Sequence, residues 1–315
     1  MRDLYILTMK IRVLGSAAGG GFPQWNCNCK NCSGLRNQTI QAKARTQSSI
    51  AVTSTDSCNW VLVNASPDIL TQLKQFPEAQ PARAIRDTGI RSIVLIDSQI
   101  DHTTGLLMLR ESKEKLRIYC TDAVYEDLTT VNPILNVLSH YCGVDWQPIR
   151  FDSSGKSEFV VPGFENLRFT AYPLKSKAPP YSRRRANPSG GETIGVMIED
   201  AGASKRAFYA PGLGEIENHV KPLLGSADLV MVDGTFFTEN EMESQNIAPK
   251  AARSLGHLPQ SGVGGMLEVL KPLHARKILI HINNTNPILD EQSPERAEVL
   301  RRGVEIAEDG MEIFL

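Results

Sequence analysis

The sequence predicts an α/β fold in which two sheets are flanked by helices. The early part of the chain is rich in strand-like segments, and strands then alternate with helical segments through both halves. Two sheets accommodate that order better than a barrel of eight regular βα units. A length of 315 residues is compatible with about two domains, or with one large, internally duplicated unit.

Composition removes several function classes. Hydrophobic residues are 41% and charged residues 22%, ordinary globular values that exclude a disordered or fibrous chain. Lys+Arg total 34 against 35 Asp+Glu, a formal net charge of −1, which argues against nucleic-acid binding through bulk charge. No apolar run approaches the ~20 residues of a membrane span. The first residues are too short and too interrupted by charge for a signal peptide, and Met9 is an equally good start. The expected location is the cytoplasm.

The elements follow in order. Residues 10–14 alternate and form a strand, followed by a glycine-rich loop at 15–21. Segments 46–53 and 59–65 form a pair of strands. Pro67 opens a helix to Phe76, with Ile69, Leu70, Leu73 and Phe76 on one face. Residues 92–96 are a buried strand, and a helix is expected from near Thr103. A strand at 116–120, helices within 122–139 and three short strands within 146–173 come next. A basic, proline-rich loop spans 175–191. Strands at 193–199 and 206–210, a helix at 215–224, a strand at 228–233, a helical region at 258–271 and a strand at 277–281 follow. The chain closes with a helix at 294–302 and a short final strand.

Three of the six cysteines crowd into Cys27-Asn-Cys29-Lys-Asn-Cys32. At this size and in a reducing compartment such a triplet points to metal rather than disulfides. Three thiolates suit a structural zinc site that is one ligand short, and Lys30 would ease thiolate formation. Cys58 and Cys120 read as buried or incidental thiols, and nothing supports a nucleophilic pair between Cys142 and His140. The glycine loop lacks the Lys-Ser/Thr of a phosphate-binding loop, and Pro23 intervenes where a dinucleotide site needs a helix. It serves either close backbone approach to a site or a wide turn with positive φ.

Asp97-Ser-Gln99-Ile-Asp101-His102 lies where a buried strand ends, the usual position of a crevice in an α/β sheet. A second buried strand ends in His281. Asp101, His102 and His281 make a set of two histidines and one carboxylate, which suits Fe(II) and oxygen chemistry or a mononuclear hydrolytic metal. Asp97 and Gln99 orient ligands or substrate, or else cap the helix start. Asp68 is a supporting acid or a first-turn helix acid, and Asp233 is a further strand-end acid with a candidate catalytic role. Asn283 and Asn284 are expected to bind substrate or supply a zinc ligand. Lys175 and Arg184 in the basic loop are candidates for holding carboxylates, the alternative being a solvated loop. His257 reads as a structural histidine, with lining the pocket as the alternative.

The N-terminal strand, the D-H-x-x-G-L element and the late strand-end histidine resemble the metallo-β-lactamase superfamily. Its H-x-H-x-D-H pattern is altered here: Asp97 and Gln99 stand at the two leading histidine positions. No histidine occurs in residues 173–177, and Tyr209-Ala-Pro211-Gly212 has no carboxylate at the usual metal-bridging position. The stretches from Gly15 to Cys29, Asp97-Ser-Gln-Ile-Asp-His-Thr-Thr-Gly-Leu, Tyr209-Ala-Pro-Gly-Leu-Gly, Val232-Asp-Gly-Thr and Ile280-His-Ile-Asn-Asn-Thr-Asn-Pro are similar to the coenzyme PQQ synthesis protein B family. Together they cover the chain from about Met9 onward.

That resemblance implies an αββα sandwich of two mixed sheets, a single domain over residues 1–315 with 1–8 as an extension. It implies a step in pyrroloquinoline quinone (PQQ) biosynthesis: iron- and oxygen-dependent hydroxylation of the tyrosine ring of a Glu–Tyr cross-linked precursor. A carrier for transport of PQQ or its precursor toward the periplasm is the alternative, and a metal-dependent hydrolase is the second. The implied cofactors are a structural Zn at the cysteines and Fe(II) at Asp101, His102 and His281. The implied partner is a small acidic substrate or PQQ, with no nucleic acid and no membrane span; a homodimer is left open.

Overall fold

The fold is known from a computed structural model that describes residues 9–54 and 58–315. The expected extension at residues 1–8 lies outside them. In β1 (Met9–Gly15), Met9, Ile11 and Val13 point inward, and this alternation commits one face of the strand to a core. β2 (Ser49–Ser54) and β3 (Trp60–Val63) follow antiparallel, and β4 (Ile90–Val94), β5 (Leu116–Thr121) and β6 (Val144–Ile149) continue parallel. The second half repeats this plan with β7 (Ser157–Val160), β8 (Leu167–Pro173), β9 (Ile194–Asp200), β10 (Lys205–Ala210), β11 (Leu229–Asp233), β12 (Arg276–Ile280) and β13 (Glu305–Ile306). Its β7 to β10 pairings are antiparallel and its β10 to β13 pairings parallel. β14 (Glu312–Phe314) returns to the free edge of β1, giving two seven-stranded sheets.

The helices are α1 (Lys30–Arg36), α2 (Ile69–Lys74), α3 (Ile100–Thr103), α4 (Gly105–Met108), α5 (Asp122–Thr129), α6 (Ile134–Leu138), α7 (Val220–Ser226), α8 (Glu241–Ser244), α9 (Ala252–Leu255), α10 (Met266–Leu270) and α11 (Pro294–Arg301). One apolar cluster draws from both sheets, with Ile11, Val52 and Val94 meeting Phe169, Val196 and Met231. A second packs the other face of β10 to β13 against α7, α10 and α11, through Phe208, Leu224, Leu267 and Val299. A third packs β3 to β5 against α2, α5 and α6, through Leu62, Ile69, Val124 and Leu138. The layers are therefore helix, sheet, sheet, helix, the predicted sandwich.

Several sequence expectations change. The helix from Pro67 is only α2, and Leu70 is exposed because it neighbours Ile69 and cannot share the i, i+4, i+7 face of Ile69, Leu73 and Phe76. The helix expected near Thr103 starts at Ile100, since the Asp97 carboxylate accepts from Gln99 N at 2.9 Å and turns the chain early. The helix expected from 215 starts at Val220: Glu217 is used instead to accept Lys175 N at 2.8 Å. In the 258–271 region α10 is the sole α-helix. The single final strand is two, β13 and β14, one on each sheet, and Cys58 is exposed.

The two sheets are joined at one end. Ala17 bridges Ile282, and Asp97 bridges Thr193. Beside this seam α4 begins at Gly105, whose backbone lies against Ser66 O and Ala65 O. A Cβ at 105 would stand 2.1 Å from Ser66 O. Gly105→Ala is therefore expected to cost about 1–3 kcal/mol or more, because backbone must move. Chemical denaturation of the variant against the parent checks it; an unchanged midpoint would contradict the packing described.

Candidate metal centre

The seam brings together the ends of β4, β11 and β12. Asp97, three residues past β4, is 3% exposed, and its Oδ1 accepts from His102 Nδ1 at 2.7 Å. Asp101 and His102 occupy the first turn of α3. His281 follows β12 with φ of 62°, a left-handed conformation that non-glycine residues seldom hold, and this turn carries its ring toward Asp101. His281 Nε2 lies 3.2 Å, and His102 Nε2 3.7 Å, from Asp101 Oδ2. The three candidate ligand atoms lie within 4.8 Å of one another.

His102 Nδ1 is engaged by Asp97, so its Nε2 is the atom left to face Asp101. That Nε2 is buried and has no hydrogen-bond partner. Two imidazole nitrogens and a carboxylate oxygen converging in this way, one nitrogen buried without a partner, form a cradle for a cation. The residues present thus fit a metal. Without one, burial opposes charging His102, but Asp97 and Asp101 outweigh it and raise its pKa to about 9. Burial likewise opposes ionising Asp101, yet His102 and His281 hold its carboxyl far below the usual range.

Behind His281 lies a polar layer that sequence reasoning largely missed. Thr235 Oγ1 is 2.9 Å from His281 Nδ1 and 3.0 Å from His257 Nδ1. His257 donates to Asp233 Oδ2 at 2.6 Å and stacks on His281 with ring centroids 5.4 Å apart. His257 is thus a satisfied histidine and also part of the wall of the cradle. Asp233 is fully buried and accepts from Thr235 N and Leu213 N as well. The signal available was Val232-Asp-Gly-Thr at a strand end, where Asp233 drew attention and Thr235 did not.

Of the two uses expected for the glycine loop, the turn with positive φ is the one found, beside the cradle. Gly19 lies beside the Asp101 carboxylate, where a Cβ would make an ordinary contact at 3.4 Å, while Gly20 and Gly21 turn with φ of 94° and 69°. Gln47 Oε1 accepts from Gly20 N, and Asp68 Oδ2 accepts from Gln47 N and Nε2. Asp68 therefore braces the loop through Gln47. The contacts found for its carboxylate include none to the cradle, and it makes no helix-capping bond.

Cys27, Cys29 and Cys32 present sulfurs within 4.8 Å of one another. Asn284 Nδ2 touches all three, at 3.1, 3.6 and 3.4 Å. Asn284 thus belongs to the cysteine cluster, not to a substrate surface. Burial pushes the Cys29 thiol up to about 12. Burial also opposes ionisation of Cys27, but hydrogen bonds from Cys29, Cys32 and Asn284 win and lower its pKa. Asn283, partly buried, donates to Thr285 Oγ1 at 2.5 Å. Its side chain also reaches Met242 Sδ of α8 at 3.7 Å.

The basic loop is a strap fastened over the start of α3. Gln99 Nε2 donates to Lys177 O at 3.0 Å, Tyr181 Oη donates to Ser98 O, and Ser182 Oγ donates to Asp127. Gln99 thus anchors the strap and caps nothing with its side chain. Arg184 pairs with Glu126, and Lys175 pairs with Glu215 at 3.5 Å. Both cations expected to face a substrate already have carboxylate partners, because the segment between β10 and α7 supplies Glu215 and α5 supplies Glu126. Lys175 lines a cavity of about 1010 Å³ whose walls include Lys221, Leu258 and Leu273 and none of the cradle residues.

The raised His102 pKa has a consequence for the metal-free chain. A histidine charged more readily when folded contributes stability that is complete below its ordinary 6.5 and is lost as pH rises through about 9. Stability of the metal-free protein is expected to fall across that window, and less so in His102→Gln. Urea titrations from pH 6 to 10 check this; equal slopes for the two proteins would contradict it.

Comparison with known proteins agrees with this architecture. The family model of the Beta-lactamase superfamily domain matches residues 59–282. The chain is 63% identical over 308 residues to the coenzyme PQQ synthesis protein B of Methylobacillus flagellatus, covering 98% of this chain and 100% of that protein. It is 60% identical over 311 residues to that of Nitrosococcus oceani, with 98% and 100% covered. The crystal structure of Zn(2+)-bound PqqB from Methylobacterium extorquens superposes with a TM-score of 0.86 at 33% identity, covering 97% of this chain and 100% of that one. Among the described residues no helix is long and apolar enough to cross a membrane. The chain belongs to the coenzyme PQQ synthesis protein B family, within the β-lactamase superfamily.

Proposed function

We propose that this chain acts in PQQ biosynthesis as an Fe(II)- and oxygen-dependent hydroxylase of the tyrosine ring of a Glu–Tyr cross-linked precursor. The observation that carries the reading is the cradle: His102 Nε2 and His281 Nε2 converge on Asp101 Oδ2, and the buried His102 Nε2 has no hydrogen-bond partner. Two histidines and one carboxylate leave open positions on a metal and suit Fe(II). The positions that would complete a two-metal hydrolytic centre are otherwise engaged. Asp97 is committed to His102, Gln99 to the strap, and Gly212 lies beside Asp97 with no side chain to offer. These departures disfavour the hydrolase reading.

Asp97 and Thr235 orient the two imidazoles, while Asp233 holds Thr235 and His257 in place. Gly19 lies beside Asp101 on one side of the cradle. When bound, Fe(II) supplies activation of dioxygen toward the phenol ring. Residues 1–315 then act as one domain in the cytoplasm, with an acidic substrate of low mass.

A structural zinc belongs, in this reading, to Cys27, Cys29 and Cys32. Asn284 is the fourth ligand: a half-turn of its amide replaces Nδ2 by Oδ1 at the sulfurs. Zinc there clasps the loop that carries Gly19. Asn284→Ala is expected to lose zinc to mild chelation faster than the parent, measured by metal analysis after dialysis; equal retention would remove Asn284 from the ligand set.

The decisive assay loads the chain with Fe(II) anaerobically, adds a Glu–Tyr cross-linked substrate and admits oxygen. Iron-dependent oxygen uptake with a substrate that gains oxygen mass is expected, and His281→Ala should lose both iron and product. PQQ bound unchanged without oxygen uptake would turn the assignment to a carrier. Turnover of esters or phosphodiesters without oxygen would turn it to a hydrolase.

A further inference from the structure

We propose that Thr235 is a positioning residue for the metal cradle: its hydroxyl sets the tautomer of His281, and through it the affinity for a divalent cation. The inference rests on the cradle reading of Asp101, His102 and His281. Thr235 is 3% exposed and lies two residues past β11, and its backbone N–H is anchored on Asp233 Oδ1 at 2.9 Å.

A threonine hydroxyl has one proton to give. Here it goes to the carbonyl oxygen of His281 at 2.9 Å. The oxygen can then only accept, and because the His257 Nδ1 proton is already given to Asp233 at 2.6 Å, the donor that faces it is His281 Nδ1 at 2.9 Å. In the neutral ring His281 Nδ1 therefore carries the proton, and Nε2 keeps its lone pair for a cation. That Nε2 is the atom 3.2 Å from Asp101 Oδ2. The same hydroxyl holds the backbone at the residue with φ of 62°, so one side chain governs both the turn and the ring.

The alternative state shows why this matters. Asp233 Oδ2 is already taken by His257 at 2.6 Å and by Leu213 N at 3.2 Å, so Thr235 is the acceptor found for His281 Nδ1. Without the hydroxyl, the imidazole proton is free to move to Nε2 and be donated to Asp101. The cradle would then close on a hydrogen bond between its own members, and an incoming cation would have to break it. Groups behind a metal-bound histidine typically carry a 10–100-fold effect on affinity.

The test uses the full chain with its cysteine-bound metal retained and Co(II) as the probe, titrated in competition with a chelator. Thr235→Val keeps the shape and loses the hydroxyl; Thr235→Ser keeps the hydroxyl. Thr235→Val is expected to bind Co(II) about 10–100-fold more weakly, and Thr235→Ser close to the parent. Nitrogen-15 spectra of the metal-free proteins, at a pH where the ring is neutral, should place the His281 proton on Nδ1 in the parent and on Nε2 in Thr235→Val. Thr235→Ala is a second variant without the hydroxyl, and thermal unfolding of each verifies folding. Parent-like Co(II) affinity in both hydroxyl-free variants, or equal loss in Thr235→Ser, would overturn the inference. Asp101→Ala separates the two claims: if it binds Co(II) as tightly as the parent, the cradle reading itself falls.

Discussion

Three electron-rich atoms from two different sheets are held together at the seam of this molecule, and little else there makes sense without that crowding. Asp101 and His102 come from the segment after β4, and His281 from the end of β12. Left alone, a carboxylate oxygen and two imidazole nitrogens within 4.8 Å would repel or draw in protons. They persist because each ring is held from behind, His102 by Asp97 and His281 by Thr235. The bridges Ala17–Ile282 and Asp97–Thr193 hold the two sheets at the spacing this requires.

The cysteine cluster extends the same logic. Asn284 lies three residues beyond His281 and touches all three sulfurs, while Asn31 Nδ2 donates to Asn284 O at 3.0 Å. The glycine loop between β1 and the cysteines runs along Asp101. The cluster, the loop and the histidine segment are thus one connected layer over the cradle. Ala17 and Phe22 of the loop and Cys32 of the cluster are buried in the same apolar core.

Much of the fold was legible because strand patterning is local. Alternation in β1 and the apolar runs at β4, β11 and β12 are properties of neighbouring residues, and they appear where expected. The errors cluster where a distant partner decided the outcome. Glu217 leaves the expected helix to meet Lys175, and Gln99 spends its amide on the strap carbonyl of Lys177. Arg184 and Lys175 look free in the sequence, but Glu126 and Glu215 reach them only once the chain is folded.

By itself the sequence determined the two-sheet architecture, the cysteine triplet and the pairing of Asp101-His102 with a late strand-end histidine, because each rests on residue type and short spacing. Only the tertiary structure decided which way those side chains face and what stands behind them. Thr235 and His257 join the site, Asn284 moves to the sulfurs, and Asp68 serves the glycine loop through Gln47. Hydrogen-bond direction and close approach depend on atoms that lie far apart in the chain, and only the folded seam brings them within reach.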